Sequence, residues 1–78
     1  MSRPRKHSFS IKGHRTSISL EAEFWDALRE IAAERRTSLG SIVGEIDAAR
    51  TGDAGLSTAV RLYVLAYFRG RSAAAPEA

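Results

Sequence analysis

The stretch Arg15-Thr16-Ser17-Ile18-Ser19-Leu20 decides the fold. Side chains of an extended strand alternate between faces. Thr16, Ile18 and Leu20 therefore share one side, and Arg15, Ser17 and Ser19 the other. The first side is fit for burial. The second carries a guanidinium and two small hydroxyls, groups that donate and accept hydrogen bonds. A helical pattern with an acidic start follows at once. The strand is expected to form half of a two-stranded ribbon, with a second copy of the chain supplying the other half.

Immediately upstream, His7–Lys12 alternates as well, with Phe9 and Ile11 on one side and Ser8, Ser10 and Lys12 on the other. The phase differs: Phe9 and Ile11 are odd-numbered, Ile18 and Leu20 even. One unbroken strand would send the two pairs to opposite faces. Gly13 is the obvious place for a reset. A hairpin centred on Gly13-His14, with Gly in the first central position of a type II′ turn, solves the parity. It would set Lys12 against Arg15, Ile11 against Thr16, Ser10 against Ser17 and Phe9 against Ile18. The alternative is a loose basic arm over residues 1–13, polar and interrupted by Pro4, with only Thr16–Leu20 ordered as strand. Both readings stay open from the residues alone.

Charge separates this beginning from the rest. The net charge is +3 and the sequence pI about 10.0. Five of the 12 Lys and Arg residues, namely Arg3, Arg5, Lys6, Lys12 and Arg15, lie in Met1–Arg15, where there is no acid. That leaves seven basic residues against all 9 acidic ones in Thr16–Ala78. A basic segment on a near-neutral body points to a polyanionic partner at that end. A solvated tail is the plainer reading of an isolated charge run, but this run leads straight into the alternating strand.

Three helices are expected after the strand. Glu21 to about Arg35 has Glu21 and Glu23 in its opening turn and Arg35-Arg36 at its end, matching the helix dipole. Its apolar stripe is Phe24, Leu28 and Ile31, widened by Trp25, Ala27 and Ala32. Thr37–Ser41 breaks the pattern, and Ser38 is the expected cap of a second helix to about Arg50. That helix carries Leu39, Ile42, Val43 and Ile46. Gly44 in its middle costs roughly 1 kcal/mol against alanine. Thr51–Gly55 reads as a turn. Ser57 then caps a third helix to about Arg69, ended by Gly70. With Val60, Leu62, Tyr63, Val64, Leu65, Ala66, Tyr67 and Phe68, that helix keeps almost no polar face, so one side should meet another subunit. The expected divisions are 1–13, a basic arm or first strand; 14–50, the strand-helix-helix core; 51–70, the apolar helix; and 71–78, a disordered tail.

A chain of 78 residues makes one small domain, and small domains bury too little surface to be very stable alone. Cysteine is absent, so no disulfide or thiolate metal site can brace it. With 44% hydrophobic residues, oligomerisation is the remaining route. No signal-peptide pattern is read at the start, and the longest apolar run, around Leu62–Phe68, is far short of the ~20 residues that span a bilayer. A cytoplasmic protein without membrane contact is expected. His7 and His14 stand apart from any carboxylate cluster, so no metal is expected. Nor do the many serines sit in a nucleophile motif. No catalytic residue, cofactor or small-molecule substrate is evident, and an enzyme is not expected.

A basic alternating strand, an acidic-start helix, a serine-capped break and a second helix together resemble the ribbon-helix-helix superfamily of bacterial DNA-binding proteins, over about Arg15–Arg50. The run Lys12–Glu21, with Phe24-Trp25 and Glu45–Arg50, is similar to a subfamily of small ribbon-helix-helix domain proteins, as is Leu56–Arg69. The resemblance implies a mostly α protein with an N-terminal β-ribbon: an intertwined ribbon-helix-helix dimer plus a third C-terminal helix. It implies that Arg15, Ser17 and Ser19 face bases in the major groove of double-stranded DNA. Ile18, Leu20, Phe24, Leu28, Ile42 and Ile46 would form the dimer core. The second helix would point its N-terminus at the DNA backbone, with amides near Ser38, Leu39, Gly40 and Ser41 binding a phosphate. Arg3, Arg5, Lys6, Lys12 and His14 add backbone contacts.

Three functions compete. The first is a homodimeric transcriptional regulator on a palindromic operator, with a tetramer through the third helix left open. The second is an antitoxin-type or other protein-interaction module with secondary DNA binding. The third is a surface-binding protein that uses the basic arm without sequence preference. The compact apolar third helix suits self-association better than a segment that folds on a toxin.

Overall fold

The computed structural model describes residues 3–50 and 55–74, with backbone alone for 71–74. Two strands open the chain, β1 (Arg5–Ile11) and β2 (His14–Leu20), followed by α1 (Ala22–Arg35), α2 (Leu39–Ala49) and α3 (Leu56–Ala74). β1 and β2 pair antiparallel as a two-stranded sheet. β2 therefore has a strand partner within its own chain, where a second copy was expected to supply one. Arg5 and Lys6, expected in a disordered arm, belong to β1.

The turn sits one residue earlier than expected. Lys12 and Gly13 are its central residues, with φ of 52° and 80°. Two positive φ values describe the I′ geometry, whose twist matches that of the flanking strands. The register accordingly pairs Ile11 with His14, Ser10 with Arg15, Phe9 with Thr16, Ser8 with Ser17, His7 with Ile18, Lys6 with Ser19 and Arg5 with Leu20. This moves Lys12 away from Arg15 and relieves the like-charge opposition that the II′ turn would impose. The shift is two residues in pairing, so parity is kept. Odd residues of β1 and even residues of β2 still share the inner face.

That inner face is covered by the helices. Ile18, Leu20, Leu28, Ile31, Ile42, Val43 and Val60 are fully buried within one chain, and Ile11, Ile46, Leu56 and Val64 nearly so. Ile18, Leu20, Leu28, Ile42 and Ile46, expected in the core of a dimer, are buried among the chain's own elements. Phe24 packs against this core but is only half-buried. Trp25 of α1 fastens β1: its indole N–H donates to the Arg5 carbonyl at 3.0 Å. The His7 ring meets it edge-on at 4.2 Å, and Phe9 stacks at 6.0 Å.

Helix ends follow local chemistry. Arg36 ends α1 in the left-handed region, and the Thr37 N–H reaches the Ala32 carbonyl at 2.9 Å. Ser38 caps α2, its Oγ accepting the Ser41 N–H at 3.1 Å. Ser57 does not cap α3. The first α3 bond runs from the Ala59 N–H to the Gly55 carbonyl, and the Ser57 hydroxyl turns to the sheet instead. α3 also passes Gly70 and continues to Ala74. One glycine costs about 1 kcal/mol in a helix, too little to end one when Arg71, Ser72, Ala73 and Ala74 follow. The expected turn at 51–54 and the end of the expected tail at 75–78 lie outside the described residues.

Candidate nucleic-acid interface

Alternation in β2 places Arg15, Ser17 and Ser19 on the sheet face turned away from the helices. Arg15 and Ser17 are exposed and Ser19 is half-buried. The register then brings β1 residues onto the same face: Ser10 beside Arg15, Ser8 beside Ser17 and Lys6 beside Ser19. All three are exposed. Ser8, Phe9, Ser10 and Arg15 line a depression of about 250 Å³. Ser8 and Ser10 were absent from the expected site. Their signal was the second alternating run, legible once the turn fixes which side it joins.

The ribbon carries no carboxylate. Ion pairs among the described residues join Arg29 to Asp26, Arg35 to Glu45, Arg50 to Asp47 and Arg61 to Glu21. None of them uses a ribbon cation. Among the described residues, Lys6, Lys12 and Arg15 thus face solvent with no acid in ion-pair contact. His14 and Lys12 stand exposed at the turn end, and Arg3 precedes β1, also exposed. Arg5 lies on the other face, where with His7, Trp25, Asp26 and Arg29 it lines a cavity of about 290 Å³. Asp26 is 3.2 Å from Arg29 there and offsets its charge.

At the start of α2, the four expected phosphate-binding amides are not equivalent. The Ser41 N–H is already taken by Ser38 Oγ. Leu39 and Gly40 are the helix's first two residues, whose N–H groups have no partner inside a helix. Gly40 is exposed, and an added Cβ would meet only Ser38 Oγ at 3.9 Å.

The outer edge of β2 is partly closed by α3. The Ser19 N–H donates to Ser57 Oγ at 3.1 Å, and Arg61 donates to the Ser19 carbonyl at 3.3 Å. Arg61 also holds the Glu21 carboxylate at 3.0 and 3.2 Å and lies 5.8 Å above the Phe24 ring. The Arg61 guanidinium, with help from the backbone N–H of Glu21, holds the Glu21 carboxyl below its ordinary value, against a smaller opposing effect of burial.

A two-stranded ribbon with a hydroxyl-and-cation outer face, backed by α1 and α2, is the arrangement on which the family comparison bears. The family model described as the ribbon-helix-helix domain matches residues 4–68. The chain belongs to the ribbon-helix-helix domain family. Ribbon-helix-helix domains generally bind DNA in transcription regulators, generally form dimers, and are typically not enzymes. No curated protein and no solved structure matches the chain. No described helix is long and apolar enough to cross a membrane.

Proposed function

We propose that this ribbon-helix-helix protein is a sequence-specific transcriptional regulator that lays the outer face of its ribbon in the major groove of double-stranded DNA. The observation that carries this reading is the acid-free face on which Arg15, Ser17 and Ser19 stand together. A major groove admits a two-stranded ribbon, and arginine bidentate to guanine is the commonest specific contact made there. Serine hydroxyls read either donors or acceptors, so Arg15 supplies the sharper discrimination. Arg3, Lys6, Lys12 and His14, with the Leu39 and Gly40 amides, contact phosphates and fix the orientation.

The working species is a homodimer on a palindromic operator in the cytoplasm. α3 supports self-association, because two of its large apolar side chains, Leu62 and Leu65, are 57% and 50% exposed. A second copy seated on that stripe joins two chains, or two dimers into a tetramer.

Selection from a pool of randomised duplexes, followed by fluorescence anisotropy on the recovered sequence, tests the reading. Arg15→Ala should lower affinity for the selected duplex about ten-fold or more with the fold intact. Log K should fall with log salt by about 0.9 for each phosphate neutralised. Recovery of no preferred sequence would leave only non-specific polyanion binding and sink the regulator reading.

A further inference from the structure

The cavity of about 290 Å³ between β1 and α1 has no part in the DNA-binding reading. Arg5 and His7 of β1 line it, with Ala22, Trp25, Asp26 and Arg29 of α1. Its volume lies at the small end of the ~300–1,000 Å³ that small-molecule sites span. Its charges are unevenly matched. Two guanidinium groups, from Arg5 and Arg29, face one carboxylate, from Asp26, and leave a single positive charge on the lining. Arg29 donates one N–H to Asp26 at 3.2 Å. A guanidinium has further N–H donors in the same plane for a second acceptor. Arg5 joins none of the ion pairs among the described residues.

We propose that this cavity binds a small organic monocarboxylate, its carboxylate held by Arg5 and Arg29 and its apolar body set against Trp25, His7 and Ala22. The planar guanidinium fork matches the two oxygens of a carboxylate and stays charged at any ordinary pH. One negative charge neutralises the lining. A phosphate dianion would instead bring a second negative charge up to Asp26, and like charges at close range repel. The rings of Trp25 and His7, with centroids 4.2 Å apart, offer aromatic surface to a flat apolar body. A ligand seated there touches β1 and α1 together. It therefore reinforces the seat of β1, which the Trp25 indole N–H provides by donating to the Arg5 carbonyl at 3.0 Å.

The site stands apart from the DNA-binding reading, and no DNA enters its test. The full chain is titrated with sodium benzoate at an ionic strength held constant with sodium chloride. The NMR signals of its single tryptophan indole N–H and of the Asp26 and Arg29 amides are followed. They should move and saturate, and the melting temperature should rise by about 5–10 °C at ten times the Kd. Arg5→Gln and Arg29→Gln should each weaken benzoate about ten-fold. Arg69→Gln removes an equal charge from an exposed position on α3 and should leave the affinity within two-fold. Asp26→Asn should tighten benzoate and let inorganic phosphate, rejected by the unaltered chain, bind comparably. Signals that drift without saturating overturn the proposal, as does Arg5→Gln binding benzoate like the unaltered chain. Phosphate binding the unaltered chain as tightly as benzoate, or Arg69→Gln weakening benzoate as much as Arg5→Gln does, reduces the cavity to a patch of general positive charge and overturns it equally.

Discussion

Ser57 on α3 accepts the backbone N–H of Ser19 on β2 at 3.1 Å, across 38 residues of sequence. This bond, with the one from Arg61 to the Ser19 carbonyl, ties the last helix to the edge of the ribbon. In an antiparallel ladder, alternate residues aim their N–H and C=O groups away from the partner strand. Ser19 does so, and α3 answers those groups with side chains. Covering a sheet edge with a helix limits its pairing with other chains. Ser57→Ala removes one acceptor and should cost about 1 kcal/mol, read as a lower urea midpoint with an unchanged slope. Amide exchange at Ser19 should quicken in the same variant. Unaltered protection there would mean that the bond does not hold in solution.

Glu21 gives the contact a pH dependence. Its carboxyl is held below the ordinary value of 4.5 by Arg61. A depressed carboxylate stabilises the fold fully above its unfolded pKa and loses that contribution as the pH falls through its folded one. Stability should therefore decline below about pH 4.5. The Glu21→Gln variant should show a shallower decline over about pH 5 to 3, measured by urea midpoints at each pH. Equal slopes for both proteins would remove Glu21 from the account.

Trp25 is 2% exposed and is the single tryptophan of the chain. Trp25→Ala should cost about 3–5 kcal/mol, a large share of the stability of so small a domain. Trp25→Phe keeps an aromatic ring but leaves the Arg5 carbonyl without its donor. A loss of about 1 kcal/mol is expected, together with faster exchange of β1 amides and slower change elsewhere.

Lys12 occupies a left-handed position next to Gly13. Non-glycine residues pay roughly 1–2 kcal/mol there, least for Asn and Asp. Asn-Gly is the preferred pair for an I′ turn. Lys12→Asn should raise the urea midpoint, by about 0.5–1 kcal/mol, while weakening binding to all DNA sequences alike. A drop in stability would place the turn elsewhere.

Gly44 lies inside α2, and an added Cβ would meet nothing within 4 Å. Gly44→Ala should stabilise by up to about 1 kcal/mol through helix propensity. A lower melting temperature, or a changed sedimentation coefficient, would reveal a second copy in close approach at that point.

Much of this architecture was legible from residue patterns. Period-two alternation in Arg15–Leu20 separated a buried face from a polar one, 3.6-residue periodicity located α1 and α2, and Ser38 marked the start of α2. These patterns are local, because the physics behind them acts between residues two to four positions apart. The strand pairing was only half legible. Parity of Phe9, Ile11, Ile18 and Leu20 required a hairpin or an arm, and it assigned the faces in either turn. It could not choose between adjacent two-residue turns that preserve that parity. Backbone twist and the repulsion of Lys12 from Arg15 made that choice.

By itself the sequence determined the order of β2 and the helices and the polar face of β2, since both follow from spacing and side-chain chemistry. Only the tertiary structure decided that β1 pairs with β2 within the chain, that Ile18, Leu20, Leu28 and Ile42 are covered by the chain's own elements, and that Ser57 and Arg61 secure Ser19. Those contacts join residues 20 to 42 positions apart. No local pattern encodes them; they arise when the helices and the hairpin bury their apolar faces against each other and the remaining polar groups must find partners where the packing leaves them.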